Sequence, residues 1–161
     1  MVETKKVAVI GFGNIGTGVV ELLYQKGVAG LELARVCDKD LERKRSVTLP
    51  TSYLSNDWQS VVNDPEVDIV VELIGGIEPA RSVLLAALEK GKDVVTANKM
   101  LLAQHGDHIF QVASTLSRRV GFRASFVGAH SLIHEFRHAG MMAKKFRRIY
   151  AILNGTSNYI L

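Results

Sequence analysis

Short apolar runs alternate with stretches of helical periodicity along this chain. Val7–Ile10 is continuously apolar, which is typical of a strand that is buried on both faces. Ile15, Val19 and Leu22 then recur at helical spacing, and Gly27 marks the end of that helix. The chain therefore opens with a predicted strand, a turn and an amphipathic helix.

The same alternation continues to the last residues. Strands separated by helices of roughly 10–15 residues indicate βαβ units, a parallel sheet and right-handed crossovers. The predicted fold is α/β, a Rossmann-type doubly wound, mostly parallel sheet in a single domain. Further strands are expected at 33–37, 67–76, 92–98, 120–126 and 147–153. A charged loop is expected at 38–50 and a turn at 61–65. Helices are expected from Pro79 to Gly91, over 99–117 with a break at Gly106, and over 131–140.

Composition narrows the class of protein. The 161 residues are 47% hydrophobic and 22% charged, as in ordinary soluble globular proteins. No apolar run reaches the 18 or so residues that a membrane span requires. The apolar run near the N-terminus is too short for a signal peptide and is followed by no cleavage site. Cys37 is the single cysteine, which excludes an internal disulfide framework and predicts a cytoplasmic protein.

Charge is distributed unevenly. Residues 1–118 carry 13 Lys and Arg against 15 Asp and Glu, whereas residues 119–161 carry 7 against 1. A basic tail of this kind can bind nucleic acid. Because no aromatic-interleaved RNA motif or zinc-finger spacing accompanies it, we expect neither nucleic acid nor a membrane as partner. The basic face is better suited to an acidic partner domain or an anionic ligand.

A glycine-rich turn lies between the first strand and the first helix. A bare GxGxxG is weak evidence, but this strand–turn–helix context is the one that dinucleotide binding requires. The N–H groups around the turn, together with the helix dipole, would hold a pyrophosphate. The alternative is that the glycines serve packing alone. The predicted cofactor-binding residues of the turn are Gly11, Phe12, Gly13, Asn14, Ile15 and Gly16.

An acidic residue follows the second predicted strand. Asp38 lies 22 residues after Gly16, where a carboxylate would bind the adenosine ribose hydroxyls of NAD. A cluster of cations follows it and could pair with the 2′-phosphate of NADP. The pattern favours NAD and leaves NADP open, and the cations could equally form a solvated loop. They are Lys39, Arg43, Lys44 and Arg45.

Longer segments make a family recognisable. Residues 64–106, which include ELIGG and TANK, closely resemble the nucleotide domain of homoserine dehydrogenases. ILNGTSNYIL, residues 152–161, resembles the family's segment that leads into the substrate domain. The three motifs together are far more specific than any one of them. The family interconverts L-homoserine and L-aspartate 4-semialdehyde by hydride transfer with NAD or NADP, on the route to threonine, methionine and isoleucine.

The resemblance implies further site residues on the nicotinamide side. Ile74, Gly75 and Gly76 would end a strand at the carboxyl edge of the sheet. Thr96 and Lys99 match TANK, and the Lys99 amine would lie near the developing alkoxide as the catalytic residue of this chain. The alternative is that Lys99 and its neighbour Asn98 only cap and solvate a helix start. Glu78 and Arg81 are expected to be surface helix charges.

One loop departs from the family pattern. Members usually read FEASVGGGIPII after the last strand of the nucleotide domain, whereas residues 122–133 here read FRASFVGAHSLI. Some members hold a monovalent cation there through the carboxylate, which Arg123 replaces. Because a guanidinium repels a cation, we predict no metal site. His130, His134 and His138 share a helical face, but a polar, partly exposed face is expected there rather than a zinc site.

Two hypotheses of function remain. In the first, residues 1–150 are the NAD(P)-binding domain of a homoserine dehydrogenase and residues 151–161 begin the connection to a missing substrate domain. The chain alone would then have little activity, and its partner is the small-molecule substrate. In the second, the chain is a non-enzymatic dinucleotide-binding remnant or partner-binding module. A homo-oligomer is left open by both.

Overall fold

The computed structural model describes residues 3–125, and within them six strands form one sheet. The strand order is β3-β2-β1-β4-β5-β6, and every neighbouring pair is parallel. This is the doubly wound arrangement expected from the alternating pattern, so the predicted Rossmann-type fold is confirmed. The strands are β1 Lys5–Ile10, β2 Leu31–Cys37, β3 Leu54–Ser55, β4 Ile69–Glu72, β5 Asp93–Thr96 and β6 Val120–Gly121.

Helices connect most of these strands. Gly27, with φ of 75°, ends the first helix as predicted, and the second long helix begins directly after Pro79. The helices are α1 Asn14–Val20, which continues as a π-helical segment over Glu21–Lys26, then α2 Trp58–Asn63, α3 Ala80–Glu89 and α4 Lys99–Thr115. Short 3-10 turns lie at Thr51–Tyr53 and Arg123–Ser125.

The core consists of two clusters of buried apolar side chains. The larger cluster includes Val70 of β4, Leu84 of α3 and Ile109 of α4. The smaller cluster joins α1 to β1 and β2, and it also takes in Val47 and Leu49. The segment 38–50 has no helix or strand, as predicted, but these two side chains are buried. The loop therefore contributes to the core although its sequence is mostly charged.

The predicted break at Gly106 is wrong, because α4 runs without interruption from Lys99 to Thr115. Gly106 is buried within the helix, between the core positions Leu101 and Ile109. A glycine inside a helix costs about 1 kcal/mol relative to alanine. Packing of the apolar face of α4 against the core outweighs that cost, so the helix continues.

The predicted strand over 120–126 is mostly wrong. β6 has two residues, and Arg123–Ser125 then forms a 3-10 turn. Ser125 donates its backbone N–H to Phe122 and its hydroxyl to the carbonyl oxygen of Thr96, at 2.9 and 2.7 Å. These bonds turn the chain toward the end of β5, which alternation of residue types along the segment could not reveal.

Two elements were not predicted. Helix α2 includes part of the expected turn at 61–65, and its first turn is capped by Asp57, whose carboxylate accepts the N–H of Gln59. β3 pairs with the end of β2 through two residues only. Both are too short to leave a clear periodic signal. The helix expected at 131–140 and the strand expected at 147–153 lie outside the described residues.

Among residues 3–125, the structure contains no helix that is both long enough and apolar enough to cross a membrane.

Candidate dinucleotide-binding site

Three loops leave the sheet at its carboxyl edge around the central strand β1. The glycine turn follows β1, the segment that begins with Asp38 follows β2, and residues 73–76 follow β4. Because β1 lies between β2 and β4, the connections on its two sides run in opposite directions across the sheet. This is the topological switch point, where doubly wound sheets bind their ligands.

Gly11 joins two of these loops through a close backbone contact. Its φ is +106°, a conformation that favours glycine, and a Cβ there would lie 2.5 Å from the carbonyl carbon of Leu73. A Cβ on Gly16 would overlap the carbonyl oxygen of Gly11, so α1 packs directly on the turn. The turn can therefore exist only with glycine at both positions.

The third glycine of the motif is in a different environment. Gly13 is the N-cap of α1, no side chain caps that helix end, and a Cβ on Gly13 would have no atom within 4 Å. Asn14 and Ile15 follow it and are exposed. The open space and the uncapped N–H groups fit the close approach of a pyrophosphate. A cofactor-binding role for these residues stays a prediction.

Asp38 lies beside the glycine turn rather than in solvent. Its Oδ2 accepts the backbone N–H of Phe12 at 2.5 Å, and its Oδ1 accepts that of Asp40 at 2.9 Å. The Arg45 guanidinium lies 3.7 Å from Oδ1. A carboxylate has about four lone-pair sites, so these contacts leave room for ribose hydroxyls. Phe12 is buried and takes part through its backbone.

The four cations that follow Asp38 do not share one role. The Arg45 side chain is 5% exposed, lies 4.4 Å above the Phe12 ring and donates to the carbonyl oxygen of Phe12 at 2.7 Å. Its other bonds go to carbonyl groups of residues 40–43. Arg43 is exposed, and its guanidinium reaches the Asn14 side-chain oxygen at 3.3 Å. Lys39 and Lys44 are also exposed.

A buried carboxylate organises the loop after β4. Glu72 is completely buried, and its Oε1 accepts the N–H groups of Ile74 at 2.8 Å and Gly75 at 3.2 Å. Gly75 and Gly76 have φ of +80° and +72°, and Ile74 is 38% exposed. Sequence reasoning missed Glu72. The available signal was an acidic residue at the end of an otherwise apolar strand.

The loop after β5 is joined to the same carboxylate. Thr96 is completely buried and donates its hydroxyl to Glu72 Oε2 at 2.6 Å. Asn98 caps α4 by accepting the N–H of Leu101, so the capping part of the alternative holds for Asn98. Lys99 is the first residue of α4 and is exposed, and its side chain makes no hydrogen bond or ion pair within the described part of the chain. Its amine is therefore available to a ligand, and its catalytic role stays a prediction.

Glu78 and Arg81 form a local contact at the start of α3. Their side chains are 51% and 37% exposed and lie 3.4 Å apart. The hydrogen bond from the Ser82 hydroxyl is the main cause of a lowered pKa of Glu78; burial opposes it, and the Ser82 backbone N–H and Arg81 lower the pKa further. Both side chains lie at the protein surface, as expected, but Arg81 Nε has no hydrogen-bond partner among the described residues. That neither side chain contacts a ligand stays a prediction.

Within residues 3–125, no group of three or more His, Cys, Asp and Glu side chains is placed to hold a metal ion. Arg123 is exposed in the 3-10 turn after β6. Most of the divergent loop, with His130, His134 and His138, lies outside the described residues. The expectation that the chain has no metal site therefore stays a prediction.

Comparison with known proteins gives the site a family. Residues 11–123, which include the glycine turn and all the loops described above, match the family model for the NAD binding domain of homoserine dehydrogenase. The chain belongs to the homoserine dehydrogenase family. The match also confirms the predicted cofactor, NAD or NADP.

Individual homoserine dehydrogenases agree with this membership. The chain is 36% identical to the Synechocystis sp. enzyme over 98% of its own length and 35% identical to the Bacillus subtilis enzyme over 97%. It spans 37% of the length of each of these relatives. Among solved structures, the Thiobacillus denitrificans homoserine dehydrogenase superposes with a TM-score of 0.79 at 37% identity, over 98% of this chain and 38% of that one.

Proposed function

We propose that this chain provides the cofactor site of an NAD(P)-dependent homoserine dehydrogenase that interconverts L-homoserine and L-aspartate 4-semialdehyde. The observation that carries the proposal is the backbone contact between Gly11 and Leu73. It places a pyrophosphate-type turn directly beside the loop that the family uses on the nicotinamide side. One dinucleotide extended along the carboxyl edge of the sheet could therefore reach both.

The proposed roles follow the position of each group along that edge. N–H groups of Gly13–Ile15 hold the pyrophosphate, and Asp38 accepts the ribose hydroxyls. Ile74–Gly76 contact the nicotinamide half, with Thr96 behind them. The bound cofactor supplies the hydride acceptor or donor. Lys99 presents its ammonium to the oxygen of the substrate, where negative charge develops during hydride transfer.

The position of the chain within the whole enzyme and its place in the cell are further parts of the proposal. Residues 1–150 form the NAD(P)-binding domain, and residues 151–161 begin the connection to the substrate domain. The enzyme serves threonine, methionine and isoleucine synthesis in the cytoplasm and requires neither nucleic acid nor a membrane. We expect little turnover by the 161-residue chain, since it spans only 37% of its Synechocystis and Bacillus relatives.

Two glycine substitutions test dinucleotide binding with a matched control. A Cβ at Gly13 or at Gly18 meets no atom within 4 Å, so a side chain added at either position begins in open space. Only Gly13 lies where the pyrophosphate would approach. We expect NADH or NADPH fluorescence to titrate with the wild-type chain and with Gly18→Val. Gly13→Val should weaken binding at least about tenfold while circular dichroism stays unchanged.

Two outcomes contradict the proposal. The first is a wild-type chain that gives no fluorescence response up to about 1 mM of either cofactor, a concentration that detects even weak binding. The second is equal weakening by Gly13→Val and Gly18→Val. Turnover is measured separately, as homoserine-dependent reduction of NAD or NADP followed at 340 nm. Rapid reduction by this chain would show that the expected inactivity is wrong.

A further inference from the structure

Glu72 is a charged side chain in an unusual position. β4 pairs with β1 on one side and with β5 on the other, so Glu72 ends a central strand. The residue is completely buried. Burial of a carboxylate is unfavourable unless strong hydrogen bonds compensate it, and an apolar side chain would avoid that penalty. A stabilising role alone therefore gives no reason for glutamate at this position.

All the partners of this carboxylate belong to the two loops on the nicotinamide side. The N–H groups of Ile74 and Gly75 donate to Oε1, and the Thr96 hydroxyl donates to Oε2. Thr96 is the last residue of β5, and Ile74 and Gly75 lie in the loop after β4. Glu72 thus joins two segments that are more than 20 residues apart in sequence.

A second set of bonds closes the network. The Thr96 hydroxyl oxygen accepts the N–H of Asn98 at 3.0 Å, and the Asn98 side-chain amide donates to the carbonyl oxygen of Gly76 at 2.5 Å. Asn98 also caps α4, whose first residue is Lys99. The path runs from Glu72 through Thr96 and Asn98 to Gly76 and back along the loop. Each polar group on this path has a hydrogen-bond partner that is also on the path.

We propose that Glu72 is a positioning residue for the nicotinamide half of the cofactor, an inference that rests on the proposed function. Its carboxylate holds Ile74 and the two following glycines in the conformation that faces the ligand, and it sets the start of α4 through Thr96. The adenosine side does not share this network, because Asp38 is bonded to Phe12 and Asp40. Glu72 should therefore affect one half of the dinucleotide and spare the other.

Glu72→Gln tests this with little change in size. The single oxygen of the glutamine amide can still accept the N–H groups of Ile74 and Gly75. The new NH2 group faces the Thr96 hydroxyl, which then loses the acceptor for its own proton. The ligands are NADH and ADP-ribose, which lacks the nicotinamide, and dissociation constants are measured by calorimetry. Glu32→Gln is the control. Glu32 is exposed and lies opposite Lys6 in the pairing of β2 with β1, near the amino ends of the strands and away from the candidate site.

We expect Glu72→Gln to weaken NADH about tenfold and to leave the dissociation constant of ADP-ribose within about twofold of the wild type. Glu32→Gln should change neither. Equal weakening of both ligands, or an unchanged NADH affinity, would overturn the positioning role. A wild-type chain that binds neither ligand would overturn the proposed function, and the inference with it.

A second pair of variants keeps the proposal testable if Glu72→Gln fails to fold. Thr96→Val has nearly the same shape as threonine but removes the hydroxyl between Glu72 and Asn98, and Thr96→Ser retains the hydroxyl. The valine variant should lose NADH affinity selectively, and the serine variant should restore it. The proposal is contradicted if both variants bind NADH alike.

Discussion

Asp38 Oδ2 accepts the backbone N–H of Phe12 at 2.5 Å, so the end of β2 is fixed to the second residue of the glycine turn. Arg45 strengthens the arrangement, because its guanidinium lies over the Phe12 ring and pairs with the same carboxylate. The residues proposed to bind the ribose are therefore held in place by contacts within the protein. Arg43 is exposed and its guanidinium contacts the Asn14 side chain, so it is free, like the exposed Lys39 and Lys44, to respond to a ligand.

Arg43 and Arg45 should differ when each is replaced by alanine. Arg43→Ala should weaken NADPH about fivefold or more and leave NADH nearly unchanged, since the exposed guanidinium can pair with the 2′-phosphate that only NADPH carries. Arg45→Ala should lower the thermal unfolding midpoint, because the partly buried hydrogen bonds to the carbonyl groups of Phe12 and Leu41 are lost. Fluorescence titration and thermal unfolding of both variants check this. Equal loss of NADH and NADPH affinity in Arg43→Ala would contradict the assignment.

Gly106→Ala should stabilise the protein by roughly 0.5–1 kcal/mol, because alanine is the better helix former and its Cβ would lie an ordinary 3.6 Å from the Phe110 ring. The free energy of unfolding in urea measures the change. Gly16→Ala is the contrasting variant and should destabilise strongly, because its Cβ would overlap the Gly11 carbonyl oxygen. A destabilised Gly106→Ala would show that the helix requires glycine at that position.

The Cys37 thiol should be unreactive in the native protein. Burial, followed by the negative charges of Asp38 and Asp57, raises the pKa of Cys37 to about 11. At pH 8 only about one thiol in a thousand is then the reactive thiolate. Native protein should therefore resist iodoacetamide at pH 8, whereas protein in urea should be labelled fully, as seen by mass spectrometry. Labelling of native protein at the rate of a free thiol would contradict this.

Arg119 should stabilise the fold in a pH-dependent manner. Burial raises the pKa of Asp93, but the hydrogen bonds and charge of Arg119, helped by Arg118, lower it below its ordinary value of 3.8 overall. A lowered carboxyl pKa gives stability that is present above about pH 4 and is lost as the pH falls through the folded-state pKa. Since the Arg119 side chain is 84% exposed, Arg119→Ala should cost only about 0.5 kcal/mol at pH 7.

The destabilisation by Arg119→Ala should shrink as the pH falls from 5 toward 2, measured by urea unfolding at each pH. The backbone N–H of Arg119 still donates to Asp93 in the variant, so part of the effect remains. Arg123→Ala removes another exposed cation and is the control. A destabilisation that is constant across this pH range would exclude Asp93 as its source.

The sequence predicted the sheet and the positions of the loops because both depend on local patterns. Val7–Ile10 is apolar without interruption, and the glycines after it permit the positive φ and the close backbone contact that this turn needs. Glu72 could not be assigned in the same way, since its partner Thr96 lies 24 residues later and becomes a neighbour only when β4 pairs with β5. The break predicted at Gly106 was wrong for the opposite reason. The low helix propensity of glycine is a local effect, and packing of α4 against the core outweighs it.

The separate hydrogen-bond networks of Asp38 and Glu72 have a consequence for changing this protein. The two halves of the cleft meet mainly where the Gly11 backbone touches Leu73, a contact that no side-chain substitution elsewhere alters directly. Free-energy changes from the two networks should therefore be nearly additive in double variants. Substitutions around Asp38 and Arg43 should therefore change the preference between NAD and NADP without disturbing the hydrogen bonds of Glu72.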